Sequence, residues 1–231
     1  MTKQKFTVLA LAFSCLGIPL AKAQYYDSFP AGAGPYFRFG AGPSFYTGGT
    51  LQQFGTSVNR SMSFDTGYAL NLGVGYAFNK YLSVGFNTGY YETWINSVNA
   101  PGFYSNSSFL SNIPFMAEAT LSVPIPHTIL VPYISVNGGG STSEFGTSHF
   151  GYYPNNYVYG SAWNTVFAYG ASAGVRFKFS HNFSAVLGYN YFATQDTRYD
   201  YNNVFPPFNT FTVGFKGVQV NSVMFMLQWN L

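Results

Sequence analysis

Residues Lys216 to Leu231 read KGVQVNSVMFMLQWNL. Counted back in twos, Leu231, Trp229, Leu227, Phe225 and Val223 form an apolar row. The row between them, Asn230, Gln228, Met226, Met224 and Ser222, is mixed or small. Period two marks a strand whose alternate side chains point to opposite faces. One face of this strand therefore meets an apolar medium. If it closes a barrel, it must pair with the first strand, and the residues between must supply the rest of the wall.

Composition narrows the choice of medium. Charged residues make up 7% of the 231 and aromatic residues 21%, whereas an ordinary soluble domain carries ~25% charged residues. Beyond residue 23 no apolar run approaches the ~18 residues of a membrane-spanning helix. In hydrocarbon, only helices and closed barrels satisfy every backbone donor and acceptor. Alternating strands with one face in lipid remain. A soluble lipocalin-like barrel would turn the bulky row inward. It would then show water an outside of Gly, Ala and a few Asn, too poor in charge for a solvated surface.

The N-terminus reads as a processing segment. Lys3 and Lys5 precede an apolar core from Phe6 to Leu20, and Ala21-Lys22-Ala23 is a small-x-small cleavage site. The pattern predicts a signal peptide over 1–23 and a mature start at Gln24. The single cysteine, Cys15, lies inside it, which leaves the mature chain no disulfide and no thiolate. A lipoprotein reading, with cleavage before Cys15, lacks the usual Leu three residues ahead. Without Lys3, Lys5 and Lys22 the ten basic residues fall to seven, equal to the seven acidic ones. The formal +3 is a leader effect, and no basic patch supports nucleic-acid binding.

Residues 24–35 (QYYDSFPAGAGP) read as a periplasmic lead-in, and 36–231 as the barrel. Eight strands alternate along it. The first runs from Tyr36 to Thr47. The second shows the cleanest pattern, with Tyr68, Leu70, Leu72, Val74, Tyr76 and Phe78 opposite Gly67, Ala69, Asn71, Gly73, Gly75 and Ala77. The bulky row is expected to meet lipid and the tiny row to face a narrow interior. The third strand carries Leu82, Val84, Phe86, Thr88, Tyr90 and Trp94 outward. The fourth spans Phe109–Ile125 and the fifth Ile129–Phe145, with its facing open past Gly138. The sixth runs from Trp163 to Phe179 and the seventh from Phe183 to Tyr191; the C-terminal stretch is the eighth. Asn79-Lys80, Pro124–Thr128 and His181-Asn182 are short turns. The stretches 48–61, 97–108, 146–161 and 199–215 are long loops.

Long and short connections alternate, as an even-stranded barrel with periplasmic turns, external loops and both ends in the periplasm requires. The expected fold is all-β: an eight-stranded antiparallel transmembrane β-barrel with short periplasmic turns and long external loops. Trp94, Trp163 and Tyr191 are placed at the outer rim. Phe78, Tyr81, Phe177, Phe179, Phe183 and Trp229 are placed at the inner rim, where amphipathic rings settle. Pro43, Pro114 and Pro132 fall in or near strands. A closed barrel has no edge strand to hold them, so they are expected at bulges or strand ends.

A terminal strand with an apolar last residue and an aromatic two before it resembles the C-terminal assembly signal of bacterial outer-membrane barrels. Phe225, Leu227, Trp229 and Leu231 would carry that signal. In that family the last residue is most often Phe, so Leu231 is a departure. Residues 36–231 as a whole resemble the small eight-stranded OmpA-like and opacity-type outer-membrane proteins, without the peptidoglycan-binding domain of full OmpA proteins. The resemblance implies location in the bacterial cell outer membrane. It also implies contact with outer-membrane lipid and lipopolysaccharide, and handling by periplasmic chaperones and the barrel-assembly machinery.

Three groups of residues are functional candidates. Arg38, Glu118, Arg176 and Lys178 fall on the inward row, where a charge needs a partner. They make either a salt-bridge gate or a polar filling. The external stretches hold Tyr152, Tyr153, Tyr157 and Tyr159 among Asn, Ser and Gly. That mix suits recognition of a surface ligand, or else a cap in which the aromatics pack on each other. An outer-membrane lipid-modifying enzyme would need His with Ser, Asp or Glu at the rim. Only His149, beside Ser148 and near Glu144, is on the outer side, and a mobile loop there would be a poor base for a preorganised site. His127 and His181 fall in periplasmic turns. No phosphate loop or metal-ligand cluster is present, so no cofactor is expected. The reading is a non-enzymatic OmpA-like barrel with envelope-structural or surface-binding (adhesion) duties. The alternative is a narrow gated channel for ions or small apolar solutes.

Overall fold

A computed structural model describes residues 33–47, 49–152, 156–201, 204–205 and 211–231. The expected signal peptide, most of the lead-in and Tyr153 lie outside the described residues. The described chain forms β1 (Gly34–Thr47), β2 (Thr50–Phe54), β3 (Thr56–Phe64), β4 (Thr66–Ala77), β5 (Leu82–Val98), β6 (Phe103–Asn106) and β7 (Phe109–Ser122). Then follow β8 (Leu130–Tyr152), β9 (Asn156–Lys178), β10 (Phe183–Thr194), β11 (Thr197–Tyr201), β12 (Val204–Phe205), β13 (Phe211–Lys216) and β14 (Gln219–Asn230).

Eight of these close a ring. β1 pairs with β4, and the chain of pairs runs on through β5, β7, β8, β9, β10 and β14 back to β1, always antiparallel. These are the eight strands expected from the alternation. Opposed residues lead from Arg38 to Gly73, Asn87, Met116, Gly139, Ala168 and Thr194. The Thr194 amide then donates to the Val218 carbonyl, yet across the seam Arg38 faces Gln228. The circuit thus returns to β14 ten residues from its start, 218 against 228. Such a stagger over eight strands tilts them by about 40° and leaves an interior just wide enough for side chains.

The two rows separate as the alternation demands. Phe37, Phe39, Leu70, Leu72, Val74, Phe86, Phe115, Leu187 and Phe225 are exposed on the outside, while Arg38, Asn71, Asn87, Glu118, Met224 and Met226 are buried inside. On β8 the alternation continues through the glycine run, with Ser141, Ser143 and Phe145 buried. The turn after β4 is fixed by Asn79, whose side-chain oxygen accepts from the amides of Tyr81 and Leu82 at 2.8 and 2.9 Å. This is the local bonding for which Asn is favoured in turns.

The prolines sit differently from expectation. The β1–β14 ladder skips Gly42 and Pro43 and resumes at Ser44 in the same register. The β5–β7 ladder skips Gly89 and Tyr90, opposite Ile113 and Pro114, and also resumes unshifted. Neither proline is at a bulge. Each lies where one flank of the strand lacks ladder pairs while the other flank is fully paired. Pro132 is at a strand end: its carbonyl accepts from Val123, just past β7.

Among the described residues, the four external connections are largely strand. Residues 48–61 contain β2 and most of β3, 97–108 contain β6, 146–161 hold the end of β8 and the start of β9, and 199–215 contain β12 and most of β11 and β13. Above the rim their segments pair with one another and with the ends of the wall strands. β13 pairs with β2, β2 with β3, β3 with β5, β11 with β13, β6 with β8 and β12 with β9. Polar composition masked these strands at the level of sequence. The wall therefore continues outward as a folded cover whose Leu51, Phe54, Phe145, Phe150, Val213 and Phe215 belong to the same buried apolar cluster as Met116 and Met224 of the lumen.

Candidate functional site: the lumen and its external cover

The interior is layered. In its lower part, towards the periplasmic turns, Arg38 Nη2 donates to both Glu118 oxygens at 3.0 and 2.9 Å. Asn87 donates to Glu118 at 2.9 Å, Thr120 donates to it at 3.1 Å, and Asn71 donates to Asn87 at 2.7 Å. The carboxylate thus takes four hydrogen bonds, and both partners of the ion pair are almost fully buried. Paired charges so enclosed are tolerated only with satisfied geometry. The inward alternation of β1 and β7 put these two residues in the lumen; their pairing across 80 residues of sequence was not legible.

Arg176 and Lys178 do not join this ion pair. They line a cavity of about 180 Å³ at the periplasmic mouth, together with Tyr36, Lys80, His181 and Gln228. The four expected lumen charges are therefore split between an inner pair and an outer vestibule.

Above the pair the lumen turns apolar. Met116, Met224 and Met226 are buried, and Tyr91 stacks on Phe192 with centroids 5.5 Å apart and planes at 14°. Higher still, the Tyr46 hydroxyl accepts from Asn112 at 3.1 Å. Over this lies the cover, in which Phe145 meets Phe150 and Phe215 edge-on, both at 4.9 Å. Burial there pushes the Tyr199 phenol up to about 12.

The tyrosines expected to form a binding loop divide. Tyr152 is partly buried against Phe54 and Phe103. Tyr157 stacks on His149 at 4.0 Å, and Tyr159 lies on the outside, 44% exposed. Tyr104, which the sequence reading passed over, is 56% exposed and sets its edge against His149. His149 is not in a mobile loop: it stands within β8, opposite Asn106 of β6. Burial holds its imidazole below the ordinary value of 6.5. Ser148 donates to the Asn106 carbonyl at 2.8 Å. Glu144 is five residues back along the same strand, about 16 Å away at ~3.3 Å per residue, so these residues do not assemble a catalytic set.

The apolar row that ends the chain faces outward. Phe225 and Trp229 are exposed, and Trp229 packs on Phe183 at 4.6 Å. Leu231 lies beyond β14, and its amide donates to Pro35 at the seam.

Comparison with known proteins agrees with this architecture. A family model described as outer membrane protein beta-barrel domain matches residues 8–217. Among curated proteins no sequence matches. The outer membrane protein OprG from Pseudomonas aeruginosa superposes with a TM-score of 0.57 at 12% identity, over 87% of this chain and 99% of that one. Neisserial surface protein A superposes with a TM-score of 0.50 at 14% identity, over 88% and 100%. At such identities the likeness concerns the fold alone. With its closed eight-stranded ring and the family model spanning nearly its whole length, this chain belongs to the outer membrane protein beta-barrel domain family and is a bacterial outer-membrane barrel.

Proposed function

We propose that this protein is a closed, non-conducting, non-enzymatic barrel that holds a rigid aromatic surface outside the cell for envelope-structural or surface-binding duty. The observation that carries this reading is the apolar seal above Arg38 and Glu118. Met116, Met224, Met226 and the Tyr91–Phe192 stack place buried apolar side chains across the lumen above the ion pair, which supports a closed interior. The external segments are folded and present Tyr104 and Tyr159 outward. Rigid amphipathic rings on an ordered scaffold give contact area at low entropic cost, which suits the sugars of lipopolysaccharide or of another surface. The reading takes 1–23 as the export signal, which N-terminal sequencing of the mature protein tests. The function itself is tested in a planar bilayer and a binding assay. The refolded chain should show no discrete conductance steps, and Tyr104→Ser with Tyr159→Ser should weaken its retention on lipopolysaccharide. Regular steps in the unmodified protein would overturn the reading.

A second reading, a passage for small apolar solutes through the wall, draws on one observation. The β5–β7 ladder lacks pairs beside Pro114, at the level of the apolar layer. Pro114→Thr, which supplies an amide, would slow uptake of an apolar solute into proteoliposomes under this reading. It would leave uptake unchanged under the first.

A further inference from the structure

One row of side chains crosses five strands of the wall near the outer rim. Tyr68 on β4 opposes Glu92 on β5, Glu92 opposes Ser111 on β7, Ser111 opposes Glu144 on β8, and Glu144 opposes Trp163 on β9. Opposed residues share a face of the sheet, and the exposed Tyr68 and Trp163 mark this face as the outside. The outer surface therefore carries two carboxylates with Ser111 between them. Below the row, Tyr68 to Phe78 is a run of ten residues. At ~3.3 Å per residue and a tilt of about 40° that run rises about 25 Å, the height of the apolar band of an outer-membrane barrel. The row thus stands at the level of the outer headgroups, above the hydrocarbon.

Among the described residues neither Glu92 nor Glu144 is in an ion pair. Both are half-buried, and Glu92 is near enough for its charge to act on Glu144. Glu92 accepts from the Tyr90 phenol and has Tyr68 beside it, and Ser161 stands beside Glu144. These neighbours are neutral, so the two like charges repel with no cation between them. Ser111 is a second and independent sign. It is 0% exposed, and its Oγ has no hydrogen-bond partner. The Tyr90 phenol is close to that oxygen but gives its hydrogen bond to Glu92. A buried hydroxyl left without a partner is rare in a native protein and calls for an explanation.

We propose that Glu92, Ser111 and Glu144 form a binding site for a hard divalent cation of the calcium class. Such a cation takes oxygen ligands at ~2.3–2.6 Å in flexible geometry, and this row offers two carboxylates and a hydroxyl. Two ladder spacings of ~4.8 Å separate the backbones of Glu92 and Glu144, a span that two glutamate side chains and the ion bridge. The ion removes the repulsion between the carboxylates and gives the Ser111 Oγ its missing contact. Among the described residues no group of three or more His, Cys, Asp or Glu is placed to hold a metal. The protein therefore supplies two charged ligands here, and water or a lipid phosphate oxygen fills the positions that open to the headgroups. With so few protein ligands the expected Kd is about 0.1–1 mM, the range of extracellular calcium modules.

Terbium luminescence tests the site, because Tyr68, Tyr90 and Trp163 around it pass excitation to a lanthanide bound in place of calcium. The refolded full chain, in an uncharged detergent without lipid, is titrated with terbium and then with calcium. Emission should saturate, and calcium at about millimolar concentration should reverse it. Glu92→Gln and Glu144→Gln should each weaken binding about tenfold or more, since the charge count of the ligands sets the affinity. Heat-modifiable migration checks that each variant is folded. If one is not, the other carries the comparison; if neither is, Ser111→Ala carries it, with weaker binding expected there too. Absence of saturable emission overturns the proposal, as does emission that calcium does not reverse. Undiminished binding in a folded carboxylate variant, or in Ser111→Ala where it stands in for them, overturns it as well.

Discussion

Arg38 on β1 and Glu118 on β7 meet inside the barrel through one guanidinium nitrogen that touches both carboxylate oxygens, at 3.0 and 2.9 Å. The contact ties opposite walls together and organises Asn71, Asn87 and Thr120 around it. Removing one member leaves the other charge buried. Glu118→Ala should cost ~3–5 kcal/mol in urea unfolding from lipid vesicles. Replacing both residues together by Met and Leu should recover most of that loss. A single variant as stable as the parent would mean that water reaches the pair.

The seam between β1 and β14 is set by backbone proximity. A Cβ on Gly42 would overlap the Val223 carbonyl oxygen, so the strands themselves would have to part. Gly42→Val should leave much of the refolded protein without the compact, heat-modifiable band. Gly140→Ala is the contrast: its nearest neighbour is the Val166 oxygen at 3.8 Å. That change should stay within ~0.5 kcal/mol of the parent.

The external cover stands on Phe54, whose ring meets Phe211 at 4.5 Å, Phe103 at 5.2 Å and Phe150 at 5.9 Å. Phe54→Ala should loosen the cover by about 3–5 kcal/mol, as for other buried Phe truncations. Limited proteolysis should then cut within 48–64 and 197–216, while the membrane-embedded ring resists. Unchanged protection would show that β2 and β13 are held by their ladder alone.

His149 gives the cover a pH response. Its folded-state value lies below 6.5 because burial opposes the charged ring. The folded chain therefore binds fewer protons than the unfolded one just below that pH. The stability it contributes is complete above ~6.5 and is lost as pH falls through the folded value. Protease cutting near 146–161 should rise between pH 7 and pH 5, and His149→Gln should flatten the profile.

The membrane wall was legible because lipid enforces a strict period of two. Phe37, Leu72 and Phe225 had to be outside, and Arg38, Asn71 and Glu118 inside. The cover was not legible by the same rule. Strands β2, β11 and β13 are short and rich in Thr, Gln, Asp and Tyr, and their period competes with turn residues on both sides. The partner of Arg38 was hidden for another reason: register and tilt, not alternation, decide which inward residues share a level. His149 was assigned to a loop because the alternation past Gly138 is carried by Ser and Thr, whose size conveys little.

Because β1 and β14 hydrogen-bond to each other, the ring can close only once residues 219–230 have been made. Until then β1 is an open edge, able to pair with any other strand at hand, and edges of that kind template aggregation. Among the described residues the contact is also one of the most distant in sequence, and contacts of that kind delay folding. The order of synthesis therefore builds in a waiting period, during which an unfinished wall has to be kept apart from its neighbours.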